Sequence, residues 1–329
     1  MSIQITIIGL GQIGASIGLG LASQKQIVRV GQDLEPSVVK KAEKLGAVDK
    51  VIINLAKAVK DADAVILALP VDQIKDTLEF IAPELKPGAV LLDTAPVKAA
   101  VAEWAEKALP EGCYYVGMTP VINPIYLMDG DWGVDAAHAD LFKNGLFAIV
   151  APARTSSAAL RMATELAGLL GAEHMFADMV EMDGLMAATH LLPQLLAAGL
   201  SGMTVGQPGW LEGRKLAGRS FAKVTEPVVS SESAAALASA AVNNRANAIR
   251  VLDTLVARLL DMRAEIEAQD VEALEKRFTE VRALRMHWWT ERWNANWAAT
   301  EQGSSNTPTS GEWMGRLVTG YHPKDRKKK

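Results

Sequence analysis

The feature that most constrains the fold of this 329-residue chain is a glycine pattern close to its start. The segment Gly9-Leu10-Gly11-Gln12-Ile13-Gly14 follows an apolar run over residues 3–8 and precedes a segment with helical periodicity. Such a GxGxxG pattern indicates dinucleotide binding only between a strand and a helix. Gly9 allows the tight turn, Gly11 lets the backbone approach a pyrophosphate, and Gly14 lets the helix pack closely on the strand. We therefore predict a dinucleotide site that includes Gly9, Gly11, Gln12, Ile13 and Gly14.

Asp33 predicts which dinucleotide binds. It follows the second predicted strand, residues 27–30, and lies about 20 residues beyond the glycines, where a carboxylate accepts a hydrogen bond from a ribose 2′-OH. This carboxylate would repel a 2′-phosphate, and neither Gln32 nor Leu34 brings a compensating positive charge. Arg29 is near but lies within the strand. We predict NAD rather than NADP as the cofactor.

Apolar runs of strand length alternate with helical segments through the first half of the chain. The predicted strands are residues 3–8, 27–30, 64–69, 89–93, 114–116 and 147–150. Runs without polar alternation are typical of strands covered on both faces, so the fold class is α/β, a Rossmann-type doubly wound parallel sheet over residues 1–177. Because ligands bind at the carboxyl ends of such strands, we expect three residues to border the cofactor: Leu69, Pro70 and Val71.

The pattern changes near residue 177. Long helices are predicted at residues 179–200, 233–269 and 271–296, with a loop at 202–215. These segments predict an all-α domain over residues 178–302, followed by a mobile tail at 303–329. Three tryptophans share one face of the last helix and predict a subunit interface: Trp289, Trp293 and Trp297.

Composition excludes several classes of protein. With 34 basic and 38 acidic residues, the net charge of −4 argues against a nucleic-acid partner. The single cysteine, Cys113, can form no internal disulfide, and no metal site is predicted. No signal peptide is visible and no apolar run reaches the length of a membrane span, so we expect a soluble cytoplasmic protein without a membrane partner.

The chain resembles the prephenate and arogenate dehydrogenase family. The matching segments are the Gly9–Gly14 turn, Ala15-Ser16-Ile17-Gly18, Gly46-Ala47-Val48-Asp49, residues 62–70, Leu92-Asp93, Val97-Lys98, Ala139-Asp140-Leu141-Phe142 and Leu192-Pro193. The resemblance implies an NAD domain followed by a helical domain that forms a homodimer. It also implies that a small-molecule substrate loses a hydride from its hydroxyl-bearing ring carbon to the cofactor and is then decarboxylated.

The resemblance is weakest at the family's catalytic positions. Pro96 stands where the family usually has a Ser, Thr119 where it has a catalytic His, and Glu226 where an Arg binds a substrate carboxylate. Without a gap, His190 falls one position before the His of the family's Ser-His-Leu-Pro segment. The substrate is therefore either held by another cation or different from that of the family.

Three residues are candidates for the chemistry: His190, Thr119 and Lys98. His190 can hold a substrate oxygen or act as a base, or it is a hydrogen-bonded helix residue beside the core. Thr119 can orient a substrate but cannot accept a proton near neutral pH. Lys98 either supplies the positive charge that the family's Arg would bring to the substrate, or lies at the surface. Two alternatives stay open: a dehydrogenase of this fold for another hydroxy- or amino-acid, and a non-catalytic NAD-binding regulator.

Overall fold

The computed structural model describes residues 2–230, 232–295 and 297. Its first part is an eight-stranded sheet with the strand order β3-β2-β1-β4-β5-β6-β7-β8. The strands are β1 (Ile3–Ile8), β2 (Ile27–Gln32), β3 (Lys50–Val51), β4 (Ala64–Leu67), β5 (Val90–Asp93), β6 (Tyr114–Val121), β7 (Leu146–Val150) and β8 (Glu173–Phe176). The predicted doubly wound α/β fold is confirmed, because the strand order reverses between β1 and β4.

One strand pair departs from the predicted parallel sheet. β6 and β7 pair antiparallel, with Thr119 opposite Ala148, whereas every other pair is parallel. The chain between them contains two short 3₁₀ turns, Pro124–Tyr126 and Gly133–Ala136, and no α-helix. A parallel neighbour would need a crossover connection, usually a helix, whereas an antiparallel one is reached directly by a loop.

Helices cover both faces of the sheet. They are α1 (Gln12–Gly20), α2 (Pro36–Leu45), α3 (Leu55–Val59), α4 (Val71–Ile81), α5 (Ala99–Ala108) and α6 (Ser157–Leu169). Two large apolar clusters, one containing Ile7 and Phe147 and the other containing Leu67 and Leu91, bury the strand residues between these helices. The sheet is therefore a rigid support for the loops at the carboxyl ends of its strands.

After β8, the described residues form helices joined by short loops, and no further strand. These are α7 (Met179–Met186), a π-helical turn (Ala187–Leu191), α8 (Leu192–Thr204), α9 (Trp210–Leu216), α10 (Arg219–Thr225), α11 (Pro227–Ser230), α12 (Ala234–Asn243), α13 (Arg245–Glu267) and α14 (Val271–Asn294). The predicted loop at 202–215 is wrong over most of its length, because α8 continues to Thr204 and α9 begins at Trp210. The single helix predicted at 233–269 is interrupted at Asn244, whose backbone leaves the helical region at φ −113° and ψ 36°.

The first compact unit of the structure ends at Val251, and the remaining described residues belong to a second unit. The domain boundary predicted at residue 177 therefore does not coincide with a change of compact unit and stays a prediction. The predicted tail at 303–329 lies outside the described residues.

Candidate active site

The glycine turn between β1 and α1 has the geometry that a dinucleotide requires. Gly9 has a φ of +89°, and a Cβ added there would lie 2.3 Å from the carbonyl oxygen of Ala68. A Cβ on Gly14 would lie 1.9 Å from the carbonyl oxygen of Gly9, whereas a Cβ on Gly11 would meet no atom within 4 Å. Gly9 and Gly14 are thus required by close packing. Gly11 faces open space in front of the first turn of α1, where free N–H groups attract phosphate.

Asp33 follows β2 and is fixed beside this turn. The backbone N–H of Leu10 donates to its Oδ2 at 2.7 Å, and the N–H of Glu35 donates to its Oδ1 at 2.9 Å. An ionised carboxylate has about four acceptor positions, so lone pairs remain for a ribose hydroxyl. The residues present therefore fit NAD.

Arg29 cannot compensate the charge of a 2′-phosphate, because its guanidinium is committed elsewhere. It is buried, pairs with Asp49 at 2.6 Å, and donates to the carbonyl oxygens of Gly18 and Gly46 at 2.8 Å each. The same guanidinium lowers the pKa of the Asp49 carboxyl through this hydrogen bond. Arg29 is therefore not available to bind a 2′-phosphate, so it does not weaken the preference for NAD over NADP that Asp33 predicts.

The residues after β4 lie against the glycine turn. A Cβ on Gly9 would lie 3.0 Å from a methyl group of Leu69, and Pro70 directly precedes α4. Leu69 and Pro70 are half-buried, so the structure places them at the predicted edge. The expectation for Val71 needs correction, because its side chain is buried in the apolar core under α4 and cannot line the crevice.

Thr119 lies near the carboxyl end of β6 and is buried. Its hydroxyl has no hydrogen-bond partner among the residues that the structure describes. Its strand partner Ala148 packs with Met182 of α7. A buried hydroxyl without a partner costs free energy and is therefore ready to bond an arriving group.

Lys98 does not contact solvent or an open cleft, and both expectations for it are wrong. Its side chain is fully buried, and its ammonium donates to Asp93 Oδ1 at 3.0 Å and to the Asp93 carbonyl at 3.1 Å. Burial lowers the pKa of Lys98 against the opposing effect of Asp93. Tyr115 donates to the other oxygen of the Asp93 carboxylate at 2.6 Å, and burial raises the pKa of this tyrosine well above its usual range.

His190 belongs to the π-helical turn, and this turn changes how the sequence should be interpreted. A π-turn accommodates one more residue than an α-helical turn. The segment Thr189-His190-Leu191-Leu192-Pro193 has one residue more than the family's Ser-His-Leu-Pro, so the turn absorbs the insertion that ungapped matching cannot place. A one-residue insertion at this turn is thus an alternative to the displacement of His190, and the position of His190 in the family motif stays a prediction.

The imidazole of His190 has two polar neighbours. Its Nε2 lies 3.1 Å from Glu232 Oε1 and 3.2 Å from the side-chain nitrogen of Gln194. The side chain of His190 is 34% exposed, whereas that of Glu232 is 18% exposed. Next to it, Leu191 belongs to the buried cluster that also contains Ala95 just after β5. His190 is thus oriented by a carboxylate and lies next to a residue that packs in the core of the sheet.

Glu226, which stands where the resemblance leads us to expect an Arg, is exposed at the end of α10. Sequence reasoning missed Glu232 and Asp183, which lie far along the chain from the residues that they bind. Among the described residues, no group of acidic, cysteine or histidine side chains could hold a metal ion. No described helix combines the length and apolar character needed to cross a membrane.

Comparison with known proteins agrees with this geometry. Residues 19–176 match the family model described as "Prephenate dehydrogenase, nucleotide-binding domain". The cyclohexadienyl dehydrogenase of Zymomonas mobilis is 27% identical over 287 residues, which cover 86% of this chain and 94% of that protein. The 4-amino-4-deoxyprephenate dehydrogenase of Streptomyces pristinaespiralis is 37% identical over 73 residues, 22% of this chain and 24% of that protein.

A solved structure shares the complete fold. The prephenate dehydrogenase from A. aeolicus, in complex with hydroxyphenyl propionate and NAD+, superposes with a TM-score of 0.76 at 20% identity, covering 87% of this chain and 98% of that one. A Rossmann-type sheet with a turn built for NAD at its switch point is the cofactor half of an NAD-dependent oxidoreductase. Within that class, residues 19–176 match the nucleotide-binding domain of the prephenate dehydrogenase family.

Proposed function

We propose that the protein oxidises a cyclohexadiene substrate of the prephenate or arogenate type, with NAD as the hydride acceptor and with loss of carbon dioxide. The observation that supports this proposal is His190, which lies in the π-turn and whose Nε2 is 3.1 Å from the Glu232 carboxylate. Bound NAD would accept a hydride from the ring carbon that carries the hydroxyl. The residues of this chain then have to hold the substrate and accept the hydroxyl proton.

His190 is the base in this proposal. When Nε2 carries a proton and donates to Glu232, Nδ1 presents a lone pair that accepts the proton of the substrate hydroxyl. Glu232 stabilises the imidazolium that results, as a carboxylate next to a histidine does in other enzymes. Thr119 orients the substrate through its buried hydroxyl. Lys98 acts only inside the protein, through Asp93.

The activity is tested by following NADH absorbance with prephenate and arogenate in separate assays. We expect turnover of at least one of them, and a fall in kcat/KM of about 10²- to 10⁴-fold for His190→Asn, the contribution typical of a general base. His174→Asn is the matched control, because His174 lies exposed on β8. Absence of turnover with both substrates despite NAD binding would leave a non-catalytic NAD-binding regulator or a different substrate.

A second candidate substrate carries an amino group in place of the ring hydroxyl. Thr119 stands where the family has its catalytic His, and the Streptomyces relative is named for 4-amino-4-deoxyprephenate. When a carbon that bears a neutral amine loses a hydride, the nitrogen lone pair forms an iminium ion, so no base has to remove a hydroxyl proton. Turnover of the amino compound with little effect of His190→Asn would favour this candidate over the first.

The protein acts as a homodimer in the cytoplasm in this proposal. The described parts of α13 and α14 leave most of their apolar side chains exposed, which favours a second copy as their partner. A chain with one cysteine, Cys113, can form no internal disulfide, which is compatible with a reducing compartment.

A further inference from the structure

A buried polar cluster, here called the Asp93 cluster, joins the end of β5 to the helices that follow the sheet. Its members are Asp93, Lys98, Tyr115, Asp183 and Asn244, and all five are less than 9% exposed. Fully buried charges are rare in proteins unless they are paired and hydrogen-bonded. The proposed reaction uses none of the five side chains directly, so their burial needs another explanation.

The cluster begins at the strand end that borders the cofactor crevice. The Asp93 carboxylate accepts hydrogen bonds from the Ala95 N–H at 2.8 Å, from Lys98 at 3.0 Å and from Tyr115 at 2.6 Å. Three donors on one carboxylate fix the backbone that leaves β5. They also fix the position at which α5 starts.

Asp183 connects this strand end to α7. Its carboxylate accepts from the backbone N–H groups of Lys98 and Ala99 at 2.6 and 3.1 Å, at the start of α5. An acidic side chain at a helix N-terminus satisfies donors that have no partner within the helix and interacts favourably with the helix dipole. One carboxylate thus holds α7 against the first turn of α5.

Asn244 also binds Asp183, through the backbone of Asp183 rather than through its carboxylate. Its side-chain amide donates to the backbone carbonyl of Asp183 at 2.7 Å, and its Oδ1 accepts from Asn247 at 2.9 Å. This residue is also the break between α12 and α13. Because the helix is interrupted at Asn244, the amide of this residue can donate to a carbonyl of α7.

We propose that Asp183 and Asn244 are positioning residues that fix His190 relative to the cofactor. Asp183 lies two helical turns before His190 on the segment formed by α7 and the π-turn. The bonds from Asp183 to the start of α5 and to the α12–α13 junction fix the segment that carries His190 relative to the carboxyl end of β5, where ligands bind in this fold. The proposal rests on the proposed function, because it gives these residues a part in the same reaction.

Specific geometry explains this cluster better than stability does. Well-packed apolar residues of similar volume are often as stable as a buried ion pair, whereas hydrogen-bonded charges allow only one arrangement. Misplacement of reacting groups by about 1 Å can cost about 10²-fold in rate. If the cluster serves alignment, variants of its residues should lose kcat while they remain folded.

Two matched pairs of variants test the proposal in the full-length protein. Asn244→Ala removes the amide that bonds Asp183, whereas Asn243→Ala changes an exposed neighbour whose amide bonds only Ser239 of its own helix. Asp183→Asn places an amide N–H₂ against two backbone donors, whereas Glu181→Gln makes the same chemical change on the same helix outside the cluster. Thermal unfolding shows that each variant is folded at the assay temperature.

The readouts separate alignment from folding and from the proposed function itself. We expect Asn244→Ala and Asp183→Asn to lower kcat by about 10- to 100-fold with little change in KM or in NAD affinity. The deuterium isotope effect on hydride transfer should rise, because that step becomes slower. Amide hydrogen exchange over residues 179–204 should become faster, while both control variants behave like the wild type.

Each outcome decides one question. If kcat stays within about twofold in the two folded cluster variants, or if exchange over 179–204 does not change, the positioning role is wrong. If the wild type turns over neither candidate substrate, the proposed function fails, whereas the exchange measurement still supports or overturns the connection between Asp183 and α7.

Discussion

At the scale of single residues, Asp33 has two roles in one carboxylate. It accepts hydrogen bonds from the N–H groups of Leu10 and Glu35, which anchor the glycine turn, and it keeps acceptor positions for a ribose hydroxyl. A substitution that removes the charge keeps only one of the two acceptor oxygens, so it should weaken cofactor selection together with one of the two hydrogen bonds to the backbone.

We predict that Asp33→Asn weakens NAD binding by about 10- to 100-fold, the loss expected when a hydrogen bond to a charged group is removed. The preference for NAD over NADP should shrink because the 2′-phosphate is no longer repelled. Isothermal titration with each dinucleotide measures both effects. Glu35→Gln, an exposed carboxylate two residues further on, should bind like the wild type. Equal affinity of the wild type for NAD and NADP would contradict this account.

Thr119 gives a prediction in which stability and activity separate. Its buried hydroxyl has no partner among the described residues, so Thr119→Val should change the free energy of unfolding by less than about 1 kcal/mol, or stabilise the fold. If the hydroxyl binds substrate, kcat/KM should fall about tenfold, whereas Thr119→Ser should keep most of the activity. Denaturant unfolding and steady-state kinetics on the same samples measure both quantities. Full activity of the Val variant would remove Thr119 from the site.

Single residues differ in how far the sequence predicts them. The roles of Gly9, Gly14 and Asp33 follow from local geometry between adjacent elements, so their pattern predicts the turn that the structure shows. Lys98 could not be assigned in this way, because its burial depends on Tyr115 and on α7, which lie far along the chain. Contacts of that kind are decided by tertiary packing.

At the scale of elements, the π-turn has the largest consequence for function. π-turns are rare and are found most often at functional sites, where an inserted residue alters the direction of side chains. Here Ala187–Leu191 carries His190 and separates α7, which Asp183 anchors, from α8. The turn therefore sets the relative rotation of two helical segments.

Deleting Leu192 tests this element. The deletion leaves His-Leu-Pro in the sequence and removes the residue that the π-turn accommodates, so α7 and α8 should join as one regular α-helix close to their present rotation. His190 and Gln194 would then lie three residues apart and still share one helix face, so we predict that kcat falls by less than about tenfold. Leu192→Ala keeps the length and should retain activity. A fall in kcat of about 10²-fold in a folded deletion variant would contradict an insertion that the turn absorbs.

Elements also show why some predictions were incomplete. The apolar runs of β1, β4, β5 and β7 predict buried strands well, because burial on both faces leaves a clear pattern. β8 was missed because Glu173–Phe176 is an exposed edge strand that carries no such pattern. The break in the predicted helix at 233–269 depends on the bond from Asn244 to Asp183, and neither helical periodicity nor propensity encodes that contact.

At the scale of the whole molecule, the distribution of apolar surface argues for a partner. Within the described part of α14, only Arg292 is buried, whereas Phe278 and Leu284 are 53% and 69% exposed. Apolar residues three or four positions apart form one stripe along this helix: Phe278, Val281, Leu284 and Trp288. A stripe of this length on a monomer would favour association, and a second copy of the chain presents the same stripe.

The last prediction concerns this stripe. Replacing Val281 and Leu284 together by Asp should turn a dimer into a monomer, because two charges would then be buried without partners at the contact. Analytical ultracentrifugation at micromolar concentration measures the mass directly. Lys276→Glu is the control, since it changes the charge of α14 outside the stripe and should leave the mass of the dimer unchanged. A wild-type protein that sediments as a monomer would refute the homodimer, and an unaltered dimer in the double variant would move the interface away from this stripe.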